Sequence, residues 1–95
     1  MTLVQLQRFV AIARELHFAR AADACCISQP ALSLSLKALE DELGEPLFER
    51  TGNTGVRMTR LGERIIGYAE RALEEAALLK QLATALRSGA LPQEH

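Results

Sequence analysis

A short polar segment near the start of the chain carries side chains suited to contact a nucleic acid. The segment reads Ser28-Gln29-Pro30-Ala31-Leu32-Ser33, and Lys37 follows about one helical turn later. A glutamine can form two hydrogen bonds with the edge of an adenine, and a serine hydroxyl can bond to a base or a phosphate. A lysine ammonium at this spacing suits a phosphate. The pattern therefore predicts base and backbone contacts from one surface.

A helix over about Gln29–Leu43 would present this segment from its first turn. Ser28 is a favourable N-cap, Pro30 is tolerated in the first turn, and Gly44 suits the position just past the helix. At about 100° per residue, leucines spaced four, three and four residues apart form one inward stripe. The stripe consists of Leu32, Leu36, Leu39 and Leu43. The opposite face then carries Pro30, Ser33, Leu34, Lys37 and Asp41, with Gln29 at its flank.

Two shorter helices are predicted before this one. Thr2 and Gln5 can form a capping box for a helix that begins near Leu3, and its apolar face is expected to contain Leu6, Phe9, Val10, Ala13 and Leu16. A short second helix follows, which begins with Phe18 and has the small residues Ala21, Ala22 and Cys25 inside. A tight turn through Cys26 and Ile27 then gives a helix-turn-helix. In that motif the second helix lays its start in the major groove of DNA.

Two short strands and a long helix complete the pattern. Residues 47–51 and 56–59 read as strands, and Gly52-Asn53-Thr54-Gly55 supplies the turn of a hairpin, or wing. Thr59 can cap a last helix over 60–87, roughly 42 Å long at 1.5 Å per residue. We therefore predict a mainly α protein: a winged helix-turn-helix domain over residues 1–59, a linker helix over 60–88 and a loose tail over 89–95.

The last helix carries a coiled-coil seam with alternating spacings of four and three. Its residues are Ile65, Ala69, Ala72, Ala76, Leu79, Ala83 and Leu86. The apolar surface is widened by Leu61, Tyr68, Leu73, Leu78 and Leu82. Three short helices cannot cover a helix of this length, so the seam favours a homodimer over a helix that folds back on its own domain.

Bulk composition neither supports nor excludes these contacts. The formal net charge is −1, and basic and acidic residues are equal in number over residues 1–60. A nucleic-acid interface must therefore depend on where particular charges lie. A protein-interaction module that kept the fold but lost DNA binding is the alternative interpretation, and the outward Arg20, Lys37, Arg50 and Arg57 count against it.

The sequence offers nothing for catalysis or for a cofactor. It has no Ser/His/Asp set, no glycine loop for phosphates and no cluster of metal ligands. Cys25 and Cys26 are adjacent and cannot chelate a metal alone, even with His17 nearby, and no neighbour argues for a lowered thiol pKa. No signal peptide or membrane-spanning run is visible. We expect a cytoplasmic protein that is not an enzyme.

The chain closely resembles the N-terminal domain of LysR-type transcriptional regulators. The matching stretches are Phe9-Val10-Ala11-Ile12-Ala13, Phe18-Ala19-Arg20-Ala21-Ala22, Ser28-Gln29-Pro30-Ala31-Leu32-Ser33, Leu39-Glu40-Asp41-Glu42-Leu43-Gly44, Pro46-Leu47-Phe48-Glu49-Arg50, and Thr59 with Gly62. The resemblance implies bacterial transcription regulation and a linker helix that pairs antiparallel in a dimer. It also implies dimers of dimers and a C-terminal domain that binds a small-molecule effector. That domain is not in this sequence, so we expect a DNA-binding fragment.

The resemblance also implies which residues contact DNA. By position these are Arg20, Ser28, Gln29, Pro30, Ser33, Lys37 and Arg50. The chain departs from the family pattern twice, because arginine is frequent where it has Leu34 and a basic residue is frequent at the wing tip, where it has Asn53 and Thr54. Both departures remove positive charge from the expected DNA surface. Two interpretations of Leu34 stay open: an ordinary exposed leucine, or an apolar contact to a thymine methyl group in the major groove.

Overall fold

A computed structural model describes residues 1–52 and 55–89 of the 95-residue chain. Within these residues, three helices are followed by a two-stranded antiparallel hairpin and a long fourth helix. Their bounds are α1 (Leu3–Glu15), α2 (Phe18–Ala24), α3 (Gln29–Leu43), β1 (Phe48–Thr51), β2 (Gly55–Met58) and α4 (Arg60–Arg87). The predicted mainly α, winged helix-turn-helix architecture is confirmed.

The helix ends lie where the capping residues predicted them. Thr2 and Gln5 form a reciprocal capping box at α1. The Ser28 hydroxyl accepts a hydrogen bond from the Ala31 amide at 3.2 Å, and Thr59 accepts one from Gly62 at the same distance. Gly44 ends α3 with a φ of 88°, a conformation that glycine adopts without a steric penalty. Local side-chain chemistry therefore sets where α3, the helix with the polar segment, begins and ends.

The junction between α1 and α2 differs from the sequence prediction. Leu16 was expected on the apolar face of the first helix, but it is the C-cap of α1, has a φ of 51° and is 42% exposed. Ile12 is fully buried in that face instead. The Leu16 carbonyl accepts a hydrogen bond from the Val56 amide at 3.3 Å, and His17 caps α2 by accepting from the Arg20 amide at 3.2 Å. This junction thus connects the helices to the wing.

The core lies where α1, α2 and α3 meet the base of the wing. Its largest fully buried side chains are Phe9, Ile12, Leu32, Leu39 and Leu47. Phe9 and Phe48 pack edge to face with ring centroids 5.7 Å apart. The predicted leucine stripe is buried except for Leu43, which lies near the end of α3 and is 36% exposed. This core fixes the direction in which the opposite face of α3 points.

The wing begins and ends one residue away from the predicted strands. Leu47 precedes β1, and its amide donates to the Glu40 carboxylate while its carbonyl accepts from the Thr59 amide at 2.9 Å. The Thr59 hydroxyl donates to the Pro46 carbonyl at 2.8 Å. The base of the hairpin is therefore held by both α3 and α4. The wing-tip residues Asn53 and Thr54 lie outside the described residues.

The two halves of α4 have different surroundings. Its first half packs on α1 and the core, with Ala69 buried. Gly62 is needed at the start, since a Cβ there would lie 2.5 Å from the Leu47 carbonyl oxygen. The second half continues past the domain, so the molecule measures 56 × 25 × 19 Å.

Ser88 caps the C-terminal end of α4, and Gly89 follows with a φ of 77°. The rest of the predicted tail, including Pro92, lies outside the described residues. Among the four described helices, none combines the length and apolarity that a bilayer span requires.

Candidate nucleic-acid interface

The outward face of α3 is the one that the leucine stripe predicted. Gln29, Pro30, Leu34 and Lys37 are exposed, and Ser33 is half-buried. Leu34 is 71% exposed, the largest exposed fraction among the large apolar side chains in the described part of the chain. The predicted residues of this helix therefore share one accessible surface, which we call the α3 face: Ser28, Gln29, Pro30, Ser33, Leu34 and Lys37.

The first turn of α3 combines polar side chains with a helix N-terminus. The Ser28 hydroxyl oxygen accepts the capping hydrogen bond from Ala31, which leaves its O–H free to donate to an outside acceptor. Unpaired amides and the partial positive charge of a helix N-terminus favour an anion such as a phosphate. Exposed Gln29 lies at the same end and offers both a donor and an acceptor. This turn suits a partner that presents phosphates beside hydrogen-bonding edges.

Three of the predicted cations are paired with carboxylates of the chain. The Arg20 guanidinium lies 3.5 Å from Glu15, and Lys37 lies 3.5 Å from Asp41 one turn along α3. On the wing, Arg57 pairs with Glu49 across the strands at 3.2 Å. All six side chains are substantially exposed, so water can reach each pair.

Arg50 is held by an aromatic ring instead of a carboxylate. Its guanidinium carbon lies 4.3 Å from the centroid of the Phe18 ring, at the start of α2. Arg50 pairs with buried Val56 in the hairpin register, so its side chain is on the strand face that turns toward the helices, whereas Glu49 and Arg57 are on the other face.

The Phe18 ring also brings the wing close to α3. A cleft of about 170 Å³ is lined by Phe18, Ser33, Leu36, Phe48, Arg50 and Val56, among other residues. The structure therefore joins predicted residues of α3 and the wing. Sequence reasoning missed Phe18 as the support of Arg50, because no periodicity relates residues so far apart in the chain.

The half-buried Cys25 is not an activated thiol. Burial raises the pKa of the Cys25 thiol above its usual value, which outweighs the opposing effect of the nearby Arg8 charge. A raised pKa means less thiolate at neutral pH, and the thiolate is the reactive form. Across the described ranges, no group of three or more His, Cys, Asp or Glu side chains is placed to hold a metal ion.

The predicted dimerisation seam divides between the two halves of α4. Ile65 and Ala72 pack against the chain's own core beside buried Ala69. Further along, Leu79 is 69% exposed and Leu86 is 51% exposed, while Ala83 is exposed and Ala76 is half-buried. Exposed Leu78 and Leu82 lie alongside them. We call this second half, residues 74–87, the distal half of α4.

A family model and the similar curated proteins indicate the same family. The model of the family described as "Bacterial regulatory helix-turn-helix protein, lysR family" matches residues 3–63. Among curated proteins, the HTH-type transcriptional regulator BudR of Klebsiella aerogenes is 48% identical over 83 residues, which is 80% of this chain and 57% of BudR. This chain thus spans little more than half the length of that relative.

Solved structures share the fold over nearly the whole chain. The DNA complex of BenM_DBD with catB site 1 has a TM-score of 0.89 and 36% identity, and it covers 99% of this chain and 100% of that one. Full-length OxyR from Pseudomonas aeruginosa has a TM-score of 0.84 and 48% identity, and it covers 90% of this chain but 28% of that one. The winged helix-turn-helix and the long helix are therefore features that this chain shares with its relatives.

Proposed function

This chain belongs to the lysR family of bacterial regulatory helix-turn-helix proteins, and we propose that it binds double-stranded DNA at specific sequences, as a dimer, to regulate transcription. The first turn of α3 enters the major groove, and the wing lies on the sugar-phosphate backbone. The helix-turn-helix domain of residues 1–59 makes the DNA contacts, and the linker helix of residues 60–88 joins two such domains.

The observation that carries this proposal is the exposed first turn of α3. Gln29 and the capping residue Ser28 lie together at a helix N-terminus, on a face that no other described element covers. Glutamine distinguishes adenine in the major groove by a pair of hydrogen bonds, and the N-terminus attracts phosphate. BenM_DBD, which has the same fold over the full length of the chain, is in complex with DNA.

Arg50 and Arg20 extend the contact to the phosphate backbone. Arg50 stacks on Phe18 through its face, so the N–H groups at the guanidinium edge remain available to a phosphate. Arg20 is exposed on α2, the helix that crosses the backbone in such complexes. Lys37 and Arg57 add charge on either side. Backbone contacts of this kind orient the protein and supply affinity without reading sequence.

The distal half of α4 supports the dimer. Exposed leucines at 78, 79, 82 and 86 form an apolar strip that extends beyond the chain's own core. A second copy of the same helix, antiparallel, would cover this strip and remove it from water. Two helix-turn-helix domains held in this way can bind two half-sites of one operator.

The full protein acts through binding and not through catalysis, as its relatives are named transcriptional regulators. This chain spans 57% of the length of BudR and 27% of the length of OxyR. Effector binding and a dimer of dimers, which the family resemblance implies, would not be functions of the winged helix-turn-helix domain itself. Bacterial DNA lies in the cytoplasm, so the proposal implies that location. The fold match to a DNA complex favours DNA over a protein partner on the α3 face.

Selection of bound sequences from genomic fragments tests the proposal. The chain is titrated against fragments, the retained duplexes are sequenced, and affinity is measured on the enriched site and on random DNA. We expect an enriched site with two-fold symmetric halves that binds at least about 10³-fold more tightly than random DNA. Equal affinity for all fragments, or no binding at low salt, would contradict sequence-specific binding.

A further inference from the structure

Acidic side chains accompany the cations of the proposed DNA surface, in a chain whose net charge is unusual for a DNA-binding domain. The chain has a formal net charge of −1. Three of the four cations proposed to contact phosphates lie within 3.5 Å of a carboxylate of the same chain. The charges of this surface are therefore largely compensated in the free protein, and a DNA phosphate must replace a carboxylate at each of these cations.

From these pairs we infer that Glu15, Asp41 and Glu49 limit the affinity of the chain for DNA by competing with phosphates for Arg20, Lys37 and Arg57. The inference rests on the proposed DNA-binding function. A phosphate contact releases counterions from DNA, which is the main source of affinity for any sequence. A cation already neutralised by its own carboxylate gains less from that exchange. The three carboxylates thereby lower the affinity for all sequences alike.

The pairs are weak enough for DNA to displace them. The side chains of Lys37 and Asp41 are 74% and 67% exposed, and the other two pairs are also open to water. Exposed ion pairs contribute little because water and salt screen them. The carboxylates therefore compete with phosphate without blocking it.

The geometry ranks the three carboxylates. Arg57 directs both Nε and Nη2 at one Glu49 oxygen, each at 3.2 Å, so Glu49 holds its cation most closely. Lys37 has a single contact of 3.5 Å to Asp41. Arg20 also donates from Nη2 to the Glu15 backbone carbonyl at 3.2 Å, and that bond survives a change of the Glu15 side chain. Loss of the Glu49 charge should therefore matter most and loss of the Glu15 charge least.

Arg50 is a cation that has no competing carboxylate among the described residues. It stacks on Phe18 and forms no ion pair within the described residues. The aromatic ring restrains the guanidinium without satisfying its N–H donors at the edge. Arg50 is therefore the cation that contributes most to affinity, whereas the three paired cations contribute in proportion to how readily their carboxylates release them.

Charge-neutralising variants test the inference on random-sequence duplex DNA. The variants are Glu49→Gln, Asp41→Asn and Glu15→Gln, and Glu42→Gln is the matched control. Glu42 is next to Asp41 on the same helix, but it pairs with the Met1 amino group, which is not on the proposed DNA surface. All four variants change the net charge by the same amount, so a difference between them reports position and not total charge.

We expect Glu49→Gln to tighten binding about two- to fivefold per protomer, the range of an exposed ion pair. Asp41→Asn should have a smaller effect and Glu15→Gln the smallest, with Glu42→Gln close to the wild type. Between about 50 and 200 mM salt, the slope of log affinity against log salt should become steeper by up to about one unit per released cation.

The outcomes separate the inference from the function on which it rests. Wild-type binding with unchanged affinity in all three variants overturns the inference and leaves DNA binding intact. An equal gain in affinity for Glu42→Gln also overturns the inference, because total charge would then be the cause. Weaker binding by Glu49→Gln overturns it as well, because the carboxylate would then orient Arg57 for DNA. Failure of the wild type to bind any duplex at low salt overturns both the function and the inference.

Discussion

The α3 face and the distal half of α4 both point away from the core, yet they are built in different ways. On the α3 face and the wing, polar side chains have partners in the chain: Ser28 caps a helix, Lys37 pairs with Asp41, and Arg50 stacks on Phe18. On the distal half, Leu79 and Leu86 are more than half exposed. One surface is pre-arranged for a hydrated, charged partner, and the other needs an apolar partner.

This difference predicts that the two surfaces respond differently to substitution. When the partner leaves, the pre-arranged polar groups lose little interaction free energy, because each one keeps an internal contact or is hydrated by water. Exposed leucines carry an unfavourable free energy of hydration until a second helix covers them. Changes on the distal half should therefore alter the oligomeric state and, through it, DNA binding. Changes on the α3 face should alter DNA binding alone.

The largest expected effect comes from a charge placed in the distal half. Leu79→Asp and Ala76→Asp would each bury an unpaired carboxylate in both copies of the seam, at a cost of roughly 3–5 kcal/mol. The dimer should dissociate at micromolar concentration, and binding to a two-half-site operator should disappear with it. Light scattering measures the mass, and a mobility shift measures the binding.

The control for this prediction is Gln81→Asp, which introduces the same residue at an exposed position of the same helix. At about 100° per residue, position 81 points away from the seam, so the dimer should persist. An unchanged dimer in Leu79→Asp and Ala76→Asp would show that the seam does not join two copies. A split dimer that keeps its full affinity for the operator would show that the two surfaces are not connected.

The sequence predicts the α3 face well because its signals are local. Ser28, Gly44 and Thr59 act within a few residues of themselves, and each ends or begins a helix as expected. The leucine stripe fixes which face of α3 turns inward, and hence that Leu34 turns out. Such inferences depend on one helix at a time and do not require knowledge of how the elements pack.

Features that depend on packing were not predictable. The seam pattern does not distinguish an apolar residue that packs on its own domain from one that packs on a second copy. Ala69, a residue of the seam, is buried against the core of its own chain. Leu16 fits the apolar period of α1 but ends the helix in a left-handed conformation, which periodicity cannot detect. The Arg50 stack and the Arg57 pair depend on the hairpin register and on how the wing approaches α2.

The second-largest effect should come from Gln29 on the α3 face. Gln29→Ala removes a pair of hydrogen bonds to a base edge and should weaken binding to the selected site by about 1–3 kcal/mol. Binding to random DNA should change much less, and the dimer should be unaffected. Titrations on both duplexes, with light scattering beside them, measure the two surfaces separately. Equal weakening on both duplexes would assign Gln29 to the phosphate backbone.

A smaller, sequence-independent effect is expected at Arg50. Arg50→Ala should weaken binding to every duplex and flatten the salt slope by about one unit, because one phosphate is no longer neutralised by the protein. Arg71→Ala is the matched control. The Arg71 guanidinium carbon lies 4.6 Å from the centroid of the Tyr68 ring, and both residues belong to α4 and not to the α3 face. Lys37→Ala should flatten the slope less than Arg50→Ala, because Asp41 already compensates Lys37. Equal slopes for Arg50→Ala, Arg71→Ala and the wild type would place Arg50 outside the interface.

The smallest effect is expected at Leu34, the one large aliphatic side chain on the α3 face. Leu34 is 71% exposed, like the leucines of the distal half, but it lies beside the polar Ser33 and Lys37 and has no second exposed leucine on the same helix face. A thymine methyl group in the major groove is an apolar partner of matching size. Because a thymine methyl covers only part of the side chain, Leu34→Ala should weaken binding to the selected site by about 0.8 kcal/mol, the value of one buried methyl-sized group, and it should leave binding to random DNA nearly unchanged.

Leu34→Arg and modified operators sharpen this last prediction. The arginine adds a charge that seeks phosphate, so it should raise affinity for random DNA and steepen the salt slope. Replacing each thymine of the selected site by uracil removes one methyl group at a time, and one such change should weaken the wild type but not Leu34→Ala. If no uracil substitution weakens the wild type, Leu34 makes no methyl contact and is an exposed leucine at a position where the family frequently has arginine.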